Sequence, residues 1–146
     1  MLKFKTLSNP DINRILAIGI CTAAVMVCLA YANFRDQLPN WWRWHGGGIP
    51  YVVFWITFWF VFFPFRRCLI PICLFAVSMT CFLEFAQLWK PDWLVQIRAT
   101  RFGAALLGSG FVWSDFPPYL LGGIVGYCLL KIVIFAVSGP KSCGKK

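Results

Sequence analysis

Four long apolar runs, at residues 15–32, 49–65, 68–89 and 117–137, constrain this chain more than anything else in it. Each approaches or reaches the length of about 20 residues that a helix needs to cross a hydrocarbon layer about 30 Å thick, the second run being the short one. Bare backbone amides find no partner in lipid, and the runs lack the polar–apolar alternation of a barrel strand, so helices are the expected form. With 60% hydrophobic and 13% charged residues, a water-soluble fold would leave more apolar surface than it could cover. The reading is therefore an all-α integral membrane protein. Four transmembrane helices with short connections fill residues 1–146 as a single domain, and no second domain fits.

The first run has a basic start and ends on Ala30-Tyr31-Ala32, features of a cleavable signal sequence. Its apolar stretch is at the long end for one, so it is read as a retained span. The second run carries Trp55, Trp59 and many phenylalanines and is expected to face lipid or a partner. Only Arg66 and Arg67 separate it from the third, which predicts a tight antiparallel hairpin. Placing both termini in the cytoplasm collects eight basic residues there (Lys3, Lys5, Arg14, Arg66, Arg67, Lys141, Lys145, Lys146) against five opposite (Arg35, Arg43, Lys90, Arg98, Arg101). The tryptophans at 41, 42, 44, 89, 93 and 113 then gather at the outer interface.

Between Trp89 and Phe116 the chain is too apolar for a free loop and too short and polar to span, so an interfacial or re-entrant segment between helices three and four is expected. Thr80, Glu84 and Gln87 share one face near the end of the third span. A carboxylate at that depth must be protonated, hydrogen-bonded or paired, and Arg98 and Arg101 are the nearest cations in sequence. Two guanidinium forks three residues apart suit a phosphate or carboxylate, and the glycine-rich Gly108-Ser109-Gly110 lets backbone amides approach an anion. The candidate ligand-binding residues are thus Glu84, Gln87, Arg98, Arg101, Ser109 and Asp115. Asp115 also reads as the cap of the last helix, whose first turn tolerates Pro117 and Pro118. Gly122 and Gly126 offer a smooth helix-packing strip, used internally against span three or for a homodimer.

Scattered basic residues form no continuous face, so the net charge of +9 points to anionic lipid and not to nucleic acid. The seven cysteines show no metal-ligand spacing and His45 is the sole histidine, so no metal, cofactor or nucleophilic triad is expected. The run EFAQLWKPDWLVQIRATRFGAALLGSGFVWSD, followed by YLLGGIVG, resembles DUF2809, a family of small bacterial four-span membrane proteins distantly similar to the VanZ-like proteins. The resemblance covers roughly residues 81–127 and implies Glu84, Gln87, Trp93, Arg98, Arg101, Gly108, Ser109, Gly110, Ser114, Asp115 and Gly122 as motif positions. VanZ-like proteins are associated with glycopeptide-antibiotic tolerance; this chain lacks the asparagine that commonly follows the aspartate in their last span. The expected function is binding of an anionic, phosphate-bearing lipid or envelope precursor at the outer interface of a bacterial inner membrane. The alternative is a non-catalytic accessory subunit of a larger membrane complex. An enzyme using Glu84 or Asp115 as general acid or base ranks last.

Overall fold

A computed structural model describes residues 10–108 and 110–138, with side chains described for all of these except 101, 105 and 136–138. Among the described residues there is no strand, and four helical stretches are long and apolar enough to cross a membrane: Pro10–Gln37, Asn40–Phe62, Arg66–Ala86 and Trp113–Phe135. The first is α1 (Pro10–Phe34) with a short 3-10 turn after it. The second is built from α2 (Asn40–His45) and α3 (Gly48–Phe62). Fifteen residues of α3 rise only about 22 Å, short of the hydrocarbon thickness, and α2 supplies the missing length. The third is α4 (Leu69–Ala86) and the fourth α7 (Phe116–Ser138). Two short helices, α5 (Asp92–Ala99) and α6 (Arg101–Leu107), fill the interval where the sequence predicts an interfacial element.

The second span lies at the centre of the bundle, contrary to the expectation that it faces lipid or a partner. It packs against α1, α4 and α7, and Val52, Val53, Ile56, Thr57 and Phe60 are buried along it. Those positions form one stripe at helical spacing, concealed in the sequence because the opposite face is equally apolar and aromatic. On that other face Phe54, Trp55, Phe58, Trp59 and Phe62 run as a ladder of mostly edge-on rings that reaches Phe75 of α4.

Glycine lets the helices meet closely. A Cβ on Gly122 would lie 2.8 Å from the Ile49 carbonyl oxygen and 2.9 Å from Val52 Cβ, and one on Gly126 would lie 2.8 Å from Ile56 Cδ1. The strip therefore packs internally, but on the second span; Gly123 meets Val77 of the third. Gly46 and Gly47 receive the ring of Tyr31, whose hydroxyl donates to the carbonyls of Trp42 and Arg43.

Arginines close the carbonyl ends of three spans. Arg14 donates to the Val61 carbonyl of α3, Arg66 to the Ile134 carbonyl of α7, and Arg98 to the Ala86 and Trp89 carbonyls at the end of α4. The negative end of the helix dipole favours a cation there. These contacts also place the start of α1 and the end of α7 at one end of the bundle, with α5, α6 and α2 at the other.

Candidate functional site

At the α5–α6 end, the bundle encloses a cavity of about 320 Å³. Its walls come from Cys28, Tyr31 and Arg35 at the end of the first span, Gly48 and Tyr51 on α3, and Tyr119 on α7. Thr80, Leu83, Glu84 and Gln87 line it from α4, and Ala104 and residues 106–108 close it from α6 and the turn beyond. The turn is anchored twice. Tyr51 donates its hydroxyl to the Leu106 carbonyl at 2.6 Å, and Gly108, with φ 70°, lays its backbone against the Gln87 amide where a Cβ would collide. Positive φ and absent side chain are both needed at that position.

Glu84 is 1% exposed and held by donors from three elements. Its Oε1 accepts the Val112 amide at 2.7 Å; its Oε2 accepts the Tyr119 hydroxyl at 2.8 Å and the Gln87 amide at 3.2 Å. The helical spacing of residues 80, 84 and 87 puts all three on the cavity wall, and all three are buried. Among the described residues none of the ion pairs includes Glu84.

The expected meeting of Arg98 with that carboxylate does not occur. The turn after α4 carries Arg98 back under the last carbonyls of the same helix, which it reaches first, and it does not line the cavity. The Arg101 side chain and Ser109 lie outside the described residues. Asp115 also stands apart from the cavity lining: its Oδ1 pairs with His45 Nδ1 at 2.9 Å, with both side chains largely buried. A carboxylate can only accept, so Nδ1 carries the hydrogen. That bond ties the end of α2 to the start of α7, in place of the helix-capping role expected of Asp115. Pro117 and Pro118 do fall in the first turn of α7.

Four residues of this region were not singled out from sequence: Arg35, His45, Tyr51 and Tyr119. Tyrosines inside apolar spans look like aromatic filler, and the contacts of His45 and Tyr119 with carboxylates cross 70 and 35 residues. Gly48 was a weak signal for one of them, since its bare backbone seats the Tyr119 ring, 3.1 Å from where a Cβ would sit.

Fold and site together define a four-span integral membrane protein with a chamber at one end that terminates on a buried, hydrogen-bonded carboxylate. The chain belongs to the family described as proteins of unknown function, DUF2809, whose profile matches residues 37–123, more than half of its length. The match begins well before the stretch that carries the resemblance in sequence and takes in the whole second span. It includes every described lining residue except those contributed by residues 28–35. No solved structure matches the chain.

Proposed function

We propose that the protein holds the head of a phosphate-bearing lipid or envelope precursor in this cavity, at the outer face of a bacterial inner membrane. The observation that carries the reading is a chamber of headgroup dimensions whose one cation among the described lining residues, Arg35, comes from the end of the first span. Its side chain is 57% exposed and touches Asp36 only at 4.0 Å, so the guanidinium is available to a phosphate. The excess of basic residues at the termini end supports the outward orientation.

Arg35→Gln tests this. In nanodiscs of phosphatidylglycerol and phosphatidylethanolamine, lipid phosphorus retained per protein after extraction into mild detergent should fall roughly tenfold, the weight of one charge-assisted hydrogen-bonded contact. Arg43→Gln, whose side chain pairs with Asp36 at 3.1 Å and does not line the cavity, should leave it unchanged. Equal phosphorus on Arg35→Gln and the unaltered protein rejects the reading. The accessory-subunit alternative draws on α1, whose span is 11% buried and exposes Ile15, Ile18, Met26 and Leu29. Acyl chains cover such a face as readily as a partner helix does, so this feature favours neither reading.

A further inference from the structure

The floor of the cavity is a place for a positive, hydrogen-rich group. Glu84 accepts three hydrogen bonds and enters none of the ion pairs among the described residues. Each carboxylate oxygen has two lone pairs, so capacity for a further donor remains. Gln87, 5% exposed and on the same wall, has no hydrogen-bond partner on its Oε1 among the described residues. Its amide orientation is fixed by chemistry, because only the Nε2 side can donate to the carboxylate. A buried carbonyl without a donor is costly, so this acceptor marks a position where a ligand hydrogen would fit.

The described hydroxyls around it donate elsewhere. Thr80 donates to the Ala76 and Val77 carbonyls, Tyr51 to Leu106 and Tyr119 to Glu84 itself. Their protons are committed, so what remains to them is acceptor capacity. A carboxylate, a free amide oxygen and spent hydroxyls make an acceptor floor beneath a mouth that holds a guanidinium.

We infer that the floor takes a primary ammonium group, and that the occupant is an amine-bearing phospholipid with its phosphate at Arg35 and its ammonium at Glu84 and Gln87. The inference rests on the headgroup reading above and adds the class of head. An ammonium brings three hydrogens and the countercharge that a desolvated carboxylate lacks, whereas a glycerol hydroxyl brings one hydrogen and no charge.

The test uses the full chain in nanodiscs of equimolar phosphatidylethanolamine and phosphatidylglycerol with matched acyl chains, reading the lipid kept on the extracted protein by native mass spectrometry. The amine lipid should be retained roughly tenfold over the glycerol lipid. Substituting its N-monomethyl, N,N-dimethyl and trimethyl forms should erode that preference stepwise, as each methyl removes an N–H. Glu84→Gln and Gln87→Met should retain phospholipid with the preference reduced to near unity. The methyl series needs no variant, so a misfolded Glu84→Gln does not blunt the result. Phospholipid retained without preference for the amine, or a flat methyl series, overturns the inference while leaving the headgroup reading standing. Failure to retain either lipid sinks both.

Discussion

Glu84 shows how a carboxyl group is kept inside an apolar bundle with no cation beside it among the described residues. The cost of desolvating it is met by a backbone amide, a phenol and a side-chain amide that converge from three elements. Tyr119 is the donor whose loss disturbs least else, since phenylalanine keeps the ring against Gly48. Tyr119→Phe should lower stability by about 1–3 kcal/mol, read as an earlier thermal unfolding in detergent with unchanged helix content. A transition identical to that of the unaltered protein would mean the phenol contributes nothing to holding the carboxylate. Position 84 was legible in sequence because a lone acid in an apolar run is conspicuous. Gln87, on the same face, was legible with it, but Val112 and Tyr119 were not: nearness along the chain pointed to Arg98 and Arg101, whereas Arg98 donates to the Ala86 and Trp89 carbonyls.

At the scale of elements, the spans themselves were legible because lipid forces long apolar runs to be helices, and the interval between the third and fourth could be neither loop nor span. What the runs do not encode is which side of each faces inward. In the second span both faces are apolar, and only glycine positions in another helix disclose the contact. Gly122 sits against the Ile49 carbonyl, a backbone atom that cannot swing aside. Gly122→Ala should therefore destabilise the bundle by about 1–3 kcal/mol through forced separation of α7 from α3. Gly19, within α1, has nothing within 4 Å of its would-be Cβ, so Gly19→Ala should be neutral or stabilising by up to about 1 kcal/mol through helix propensity. Chemical or thermal unfolding of the pair in one detergent decides this; equal effects would contradict the packing described for α7.

For the whole molecule, four antiparallel spans bring Arg14 and Arg66 to one end and Arg35, Arg43 and Arg98 to the other, so the cavity and both termini-proximal helix ends lie on opposite sides. Much of the charge at each end has work within the fold: Arg14, Arg66 and Arg98 each donate to carbonyls near helix ends, and Arg43 pairs with Asp36. Basic residues bias orientation during insertion, before those contacts exist, so the eight-to-five asymmetry still counts in full. The consequence is measurable with single cysteines at two exposed positions, Lys90 beside α5 and Arg67 in the turn before α4, in a background with the native cysteines replaced. Lys90→Cys should react with a membrane-impermeant maleimide on intact cells, and Arg67→Cys only after permeabilisation. The reverse pattern would open the cavity to the cytoplasm, where the same guanidinium and carboxylate would meet the inner leaflet, and an envelope precursor could no longer be its occupant from the outer side.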